Sequence, residues 1–155
     1  MESKQLDQTD INILNLLQNN GLLSYRDIAK LVHRTHNPIS ERISRLKKLG
    51  YIKNTVAIID LKKIRSLFTT YTMVRLNDHS SKGFSQFQQM VERSPQIMDC
   101  SHLTGQYDFL LKIVVEDLGT YNEFLRLHIA TLECIQKVES FPVLTEMKTQ
   151  TAYLL

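Results

Sequence analysis

The stretch from Thr35 to Gly50, THNPISERISRLKKLG, decides how the first part of the chain folds. Thr35 suits the N-cap of a helix, and Gly50 suits the position just after its last turn. A solvent-facing side would carry Asn, Ser, Glu and Lys, with Arg on its flanks. The apolar residues recur at spacings of four and three, as they do along one face of an α-helix: Ile39, Ile43, Leu46 and Leu49.

Two shorter helices are predicted before this one. Asp7 and Asp10 have the spacing of a capping box, and the apolar residues that follow end at Asn19-Asn20-Gly21, a helix stop signal. Ser24 starts a second helix, which runs to a tight turn at His33 and Arg34. Three helices, the last two joined by a tight turn, are typical of a helix-turn-helix unit.

The polar side of the third helix suits DNA. Arg and Asn can form bidentate hydrogen bonds to guanine and adenine in the major groove, and Lys and Arg bind phosphates. Arg42 has a second interpretation, an ion pair with an acid of the first or second helix, and Glu41 is expected to pair with Arg45 four residues on. We expect base contacts from His36, Asn37, Ser40 and Arg42, and other DNA contacts from Arg26, Lys30, Arg34, Thr35, Arg45, Lys47, Lys48 and Lys53.

Charge divides the chain into two parts. The formal net charge is +3, but residues 1–65 hold 12 Lys and Arg against 6 Asp and Glu, whereas residues 66–155 hold 7 against 10. A basic first part favours nucleic-acid binding there. No apolar run is long enough for a membrane span or a signal peptide, and Cys100 and Cys134 are far apart. We expect a cytoplasmic, nucleoid-associated protein with free thiols.

The rest of the chain alternates between strands and helices. A β-branched strand is predicted at Tyr51 to Ile59, followed by a polar connector. Further strands are predicted at 67–76, 97–104, 107–115 and 138–148, with helices around Phe84–Val91 and after Asp117. The order β-α-β-β-α-β is ferredoxin-like. The expected fold is α+β, with a helix-turn-helix domain (1–50), a strand-containing linker (51–66) and a ferredoxin-like domain (67–155).

Both faces of the third strand of that second domain are apolar, which predicts a partner. Phe109, Leu111 and Ile113 alternate with Leu110 and Val114, yet two helices can cover only one face of the sheet. The uncovered face therefore predicts a homodimer that packs sheet on sheet.

Several motifs in order resemble the Lrp/AsnC family of transcription regulators along essentially the whole chain. The motifs are Leu6-Asp7-Gln8-Thr9-Asp10-Ile11-Asn12-Ile13-Leu14, Asp27-Ile28-Ala29, Ser40-Glu41-Arg42-Ile43-Ser44-Arg45-Leu46, Gly50-Tyr51-Ile52 and Gly105-Gln106-Tyr107-Asp108. The resemblance implies a sequence-specific regulator of double-stranded DNA, assembled as dimers and often as octamers. It also implies a small effector, commonly an amino acid, bound between C-terminal domains.

The effector would bind at Gly105, Gln106, Tyr107 and Asp108, where exposed backbone N–H groups could hold a carboxylate and Asp108 an ammonium group. A purely structural hairpin is the other interpretation. The chain departs from the family pattern at Leu22, at His33-Arg34 in place of Gly-Leu, at His36-Asn37, and at Gln106 where a charged residue is frequent. These departures leave the effector and the operator undefined.

The residues fit two other function classes less well. An enzyme would have to use Asp99, His102, Asp108 or His128, which have no metal-ligand spacing and no nucleophile motif, so no catalytic residue, metal or cofactor is expected. An amino-acid-binding sensor that acts through protein partners is the alternative to a DNA-binding regulator. The basic N-terminal part argues against it.

Overall fold

The computed structural model describes residues 6–155, which form two compact units. One unit comprises the residues up to Ile58 together with Met147–Leu155, and the other comprises Ile59–Glu146. The grouping of Met147–Leu155 with the helical unit differs from the sequence-based domain boundaries, which placed this segment in the C-terminal domain. No helix of the described residues is both long and apolar enough to cross a membrane.

The first unit contains three helices, α1 (Gln8–Asn19), α2 (Tyr25–Leu31) and α3 (His36–Lys48). The predicted capping box at Asp7 and Asp10 is present, and the Ser24 side chain caps α2. Each helix contributes apolar side chains to one small core, because each is amphipathic. The buried members of this core are Ile13, Ile28, Ala29, Ile39, Ile43 and Leu46.

The ends of α3 follow the sequence with one exception. Thr35 is the N-cap residue, although its side chain makes no capping hydrogen bond. Gly50 has a φ of 80°, a left-handed conformation that glycine adopts without steric cost. Leu49 was predicted to be in the apolar stripe but is 56% exposed. That prediction was wrong because Leu49 is the C-cap residue, where the side chain leaves the helical face.

The linker does not form the predicted strand. Residues 51–60 contain no regular element, and a short 3₁₀ helix, Leu61–Lys63, follows them. The β-branched side chains of this stretch are exposed, Val56 by 73% and Ile58 by 74%. A strand needs a neighbour for its backbone hydrogen bonds, and none is provided by the described residues of one chain. The prediction of a strand at Tyr51 to Ile59 is therefore wrong for the single chain.

The last residues of the chain bind to α1 through one side chain. The Gln18 amide donates to the Tyr153 carbonyl at 2.6 Å, and the Tyr153 N–H donates to the Gln18 Oε1 at 2.8 Å. The same Gln18 nitrogen donates to Asn15 Oδ1 at 2.8 Å. The Gln18 amide thus binds both the N–H and the carbonyl of Tyr153, as the backbone of a neighbouring strand would.

The second unit is a four-stranded antiparallel sheet with two helices, as predicted. The strand order is β2-β3-β1-β4, so β4 is at an edge as expected. β4 begins three residues before its predicted range and ends at Pro142, and a proline lacks the N–H that the ladder needs. The elements are β1 (Phe68–Leu76), α4 (Ser81–Arg93), β2 (Ile97–His102), β3 (Phe109–Val115), α5 (Leu118–Phe124), a π-helical turn (Leu125–Ile129) and β4 (Ile135–Pro142).

The two faces of this sheet differ. Along β3, Phe109, Leu111, Ile113 and Val115 are buried in one core with residues of α4 and α5, as the alternation predicted. The other face, which we call the open face, is only half-covered. It carries Met73, Tyr71 and Phe141 beside Leu110 and Val114 of β3, and Tyr71 and Phe141 are register partners. Their exposed fractions are 40% and 50%.

Candidate functional site

The exposed side of α3 presents a row of polar side chains that spans the helix. Asn37, Glu41, Ser44 and Lys48 are spaced by four, three and four residues, so they lie on one line, and all four are exposed. Below them, Ile43 and the rest of the apolar stripe fix the helix to the core. We call these four residues the outer row.

The remaining predicted base contacts flank this row. Thr35 and His36 are exposed, and Ser40 is half-buried. The His36 ring lies beside Asn37, with 3.4 Å between Nδ1 and Oδ1. Glu41 and Ser44 were not among the predicted base contacts, although their spacing from Asn37 places them on the same exposed side of α3. Glu41 was instead expected to pair with Arg45, and within the described residues it makes no such pair.

Arg42 is bound to the start of α1. One guanidinium nitrogen donates to Asp7 Oδ2 at 2.6 Å and to Asp10 Oδ1 at 2.9 Å. These carboxylates raise the pKa of Arg42. The hydrogen bond from the Asp10 N–H, together with Arg42, lowers the pKa of Asp7. The contacts match the ion-pair interpretation of Arg42, so the expectation that Arg42 reads bases is not supported by this geometry.

Arg45 is held by the same acid. Its terminal nitrogen donates to Asp10 Oδ2 at 2.5 Å, and Asp10 is only 1% exposed. The Arg45 Nε is buried without a partner among the described residues. Asp10 also accepts the backbone N–H of Asp7, so one buried carboxylate serves a helix cap and two arginines. Sequence reasoning identified Asp10 as a cap and allowed an acid of the first or second helix to pair with Arg42, but it did not name Asp10 as that acid or as a partner of Arg45.

The basic side chains around α3 remain accessible. Lys47 donates to the Tyr25 hydroxyl at 3.3 Å and lies 5.9 Å from the centroid of that ring. The other lysines and arginines predicted to contact phosphate are exposed, as phosphate binding requires. They are Arg26, Lys30, Arg34, Lys48 and Lys53.

The predicted effector turn has a different internal structure from the one expected. The Asp108 carboxylate accepts the Leu76 N–H at 2.7 Å and lies 3.0 Å from His79 Nε2. Its backbone N–H donates to the Val74 carbonyl at 2.9 Å. Asp108 therefore fastens the turn to the end of β1, and its expected role as partner of an ammonium group is not supported. Sequence reasoning missed His79, which has no motif around it.

The Tyr107 side chain is also buried in the fold and has little surface for a ligand. It is 7% exposed, and Lys137 Nζ lies 5.4 Å from the centroid of its ring. Gly105, with a φ of 121°, and Gln106 are exposed. Of the four predicted effector residues, these two present accessible groups to a ligand.

Metal and thiol chemistry find little support in the described residues. Among residues 6–155, no group of three or more His, Cys, Asp or Glu could hold a metal ion. Cys100 and Cys134 are free thiols, and burial raises the pKa of both. A raised pKa keeps a thiol protonated, which makes it a weak nucleophile and metal ligand.

Two family models match the two parts of the chain, and the C-terminal one also covers residues 147–153, which the structure groups with the helical unit. The description "Lrp/AsnC ligand binding domain" applies to the family model that matches residues 69–153. A second family model, described as "Winged helix-turn-helix DNA-binding", matches residues 6–53. The outer row thus lies within the match to a DNA-binding domain, and the Gly105 turn lies within the match to a ligand-binding domain.

Individual relatives agree with this division. The Bkd operon transcriptional regulator of Pseudomonas aeruginosa is 33% identical over 134 residues, 86% of each chain. The leucine-responsive regulatory protein of Escherichia coli K12 is 30% identical over 94% of this chain and 88% of its own. A Neisseria meningitidis regulator solved with L-methionine aligns with a TM-score of 0.91 at 25% identity, over 97% of both chains. From these matches and its fold, the chain belongs to the Lrp/AsnC family of transcription regulators, with an N-terminal helix-turn-helix for DNA and a C-terminal ligand-binding domain.

Proposed function

We propose that α3 reads DNA in the major groove through Asn37, Glu41 and Ser44 of its outer row and through the residues at its start. The single observation that carries this proposal is the exposed line of Asn37, Glu41 and Ser44 above a buried apolar stripe. Asn can bind adenine in bidentate fashion, and Glu can accept from the amino group of cytosine. His36 and Ser40 extend this readout at the N-terminal end of the helix.

Phosphate contacts supply affinity in this proposal and carry no sequence information. Lys47, Lys48, Arg34 and Lys53 provide them, with Thr35 free to bind a phosphate because its hydroxyl does not cap α3. Arg42 and Arg45 position the helix by holding Asp10. This division revises the sequence-based assignment, in which Arg42 was a base contact.

Selection from random duplex DNA, followed by sequencing, tests the reading surface. We expect an enriched pseudo-palindrome, because a dimer presents two recognition helices about one helical turn apart. Asn37→Ala should lose discrimination at one base pair per half-site, about 1–3 kcal/mol. Lys48→Ala is the matched control, since it should weaken selected and random duplexes alike. Equal losses for Asn37→Ala on both duplexes would contradict the proposal.

We propose further that an amino acid is the effector and that the turn at Gly105 and Gln106 contacts it. Support comes from the accessible backbone of this turn and from the methionine complex of the Neisseria relative. Repeating the DNA selection with each of the twenty amino acids identifies the effector. Gln106→Ala should weaken the response to that amino acid and leave DNA binding in its absence unchanged. A selected site indifferent to all twenty would exclude an amino-acid effector.

A homodimer is part of this proposal, and its support is the partly exposed apolar side chains on the open face of the sheet. A second copy would also provide the neighbour that residues 51–59 need to form a strand. Further assembly into rings such as an octamer is part of this proposal, with the protein placed in the cytoplasm on the nucleoid. Sedimentation measures the number of chains directly. The sensor that acts through protein partners is favoured by no contact described above.

A further inference from the structure

We propose that Asp7 and Asp10 act as a specificity filter, by masking two arginines of the recognition helix from non-specific contact with DNA. The inference rests on the proposed role of α3 as the DNA-reading helix. It assigns a function in discrimination to two acids at the start of α1, which are not among the proposed base contacts.

The geometry shows a closed cluster of four charged groups. Arg42 bonds both acids, Arg45 bonds Asp10, and Asp7 and Asp10 are joined by the capping box. Asp10 is 1% exposed, whereas the side chains of Arg42 and Arg45 are 31% and 33% exposed. The Asp10 carboxylate thus lies beneath both arginines and holds them from the core side, whereas Asp7, with a side chain that is 52% exposed, contacts Arg42 at the surface.

The balance of charges in this cluster lowers its attraction for phosphates. Two carboxylates face two guanidinium groups, so the cluster adds no net charge to the DNA-facing surface. Non-specific affinity is set by the number of phosphates that cations neutralise, whereas specific affinity also depends on base contacts. Masking two arginines lowers binding to every sequence equally. The base contacts of the outer row then contribute a larger share of the total, and the ratio of specific to non-specific affinity rises.

A purely structural role for the acids predicts a different result from masking. If Asp7 and Asp10 only stabilise the fold, their replacement by Asn should strengthen binding to random duplex no more than the same change of charge at an acid that holds no arginine. If they mask the arginines, replacement should strengthen it more. The difference from such a control therefore distinguishes the two roles.

The test compares Asp7→Asn and Asp10→Asn with Asp27→Asn in the full-length protein. Asp27 is the matched control, because it is an acid in the first turn of α2 that bonds Ser24 rather than an arginine, and its replacement changes the charge equally. Affinity for a random duplex is measured by fluorescence anisotropy from about 50 to 200 mM salt, the range over which such contacts weaken strongly.

Masking predicts that Asp10→Asn binds random duplex several-fold more tightly than Asp27→Asn does. Its plot of log affinity against log salt should be steeper by about 0.9 for each arginine released. Asp7→Asn, which frees part of the Arg42 interaction only, should show a smaller change. Affinity equal to that of the control, or below it, would overturn the filter.

Two further measurements keep the result interpretable. Asp7 is exposed, so Asp7→Asn leaves the buried carboxylate in place and tests masking even if Asp10→Asn fails to fold. In the reverse direction, Arg42→Gln should lower random-duplex affinity much less than Lys48→Gln does, and equal losses would overturn masking. The random-duplex measurements need no operator, so failure to select an operator would count against the proposed function and leave the masking result intact.

Discussion

His33 has a backbone conformation that its side chain disfavours. Its φ of 55° lies in the left-handed region, at the turn between α2 and α3. The chain must turn there because Arg34 N–H returns to the Ala29 carbonyl at 2.9 Å, ending α2. A residue with a Cβ atom loses roughly 1–2 kcal/mol in this region, and glycine does not.

His33→Gly should therefore stabilise the helical unit, by about 0.5–1 kcal/mol after the added chain entropy of glycine is subtracted. The measurement is urea unfolding followed by circular dichroism. His33→Ala is the control, since it removes the imidazole and keeps the strained φ. A gain of equal size with alanine would mean that the imidazole, and not the backbone, is unfavourable.

Asp108 makes the stability of the second unit depend on pH. Burial acts to raise the pKa of Asp108, but hydrogen bonds from the Leu76 N–H and His79 outweigh it, and the net pKa is lowered. A carboxyl whose folded pKa is below its unfolded value stabilises the fold at higher pH. That stabilisation is lost as the pH falls from the usual range of Asp through the folded pKa.

Asp108→Ala should cost about 1.5–3 kcal/mol at neutral pH, the range for hydrogen bonds to a charged group. The difference from wild type should shrink as the pH falls below the usual pKa of Asp. Thermal unfolding from pH 7 into the acid range measures it. Asp99→Ala, which removes an exposed carboxylate of β2, is the control. A wild-type difference that stays constant with pH would contradict this role.

At the scale of elements, period and capping predicted most of the fold. The stripe of α3 placed Ile39, Ile43 and Leu46 in the core because a helix has a fixed period. The same reasoning failed at Leu49, where the helix ends. It could not assign Arg42 or Asp108, since their partners come from other elements, and no spacing along the sequence reports such contacts.

Ile43→Ala should destabilise the helical unit by about 2–5 kcal/mol, because Ile43 is fully buried and a cavity would remain. Leu49→Ala, at the exposed end of the same stripe, should cost about 0.5 kcal/mol or less. Chemical unfolding of the two variants compares them directly. Similar losses would mean that Leu49 is buried in the assembled protein.

At the scale of the whole molecule, the sequence does not identify what pairs with the linker or what covers the open face of the sheet. A linker rich in β-branched residues stays irregular in one chain because a ladder requires a second strand, and composition cannot say where that strand comes from. The open face of the sheet likewise lacks a covering partner among the described residues of one chain. The apolar pair Tyr71 and Phe141 lies on the surface of a single chain, as expected for an interface between copies.

Tyr71→Glu should weaken the dimer, because a charged carboxylate would be placed in an apolar interface. Sedimentation velocity at micromolar concentration should show a shift towards monomer. Gln89→Glu, an exposed site on α4 with the same change of charge, should leave the distribution unchanged. Wild-type protein that sediments as a monomer would contradict the dimer itself.

The bonds between Gln18 and Tyr153 have a practical consequence for experiments on this chain. They hold the residues just before Leu155 against α1, so a purification tag or fluorescent fusion joined after Leu155 would be carried by the helix-turn-helix unit. A bulky fusion there would be attached to the unit that binds DNA. Binding assays are best made with protein whose fusion has been cleaved off.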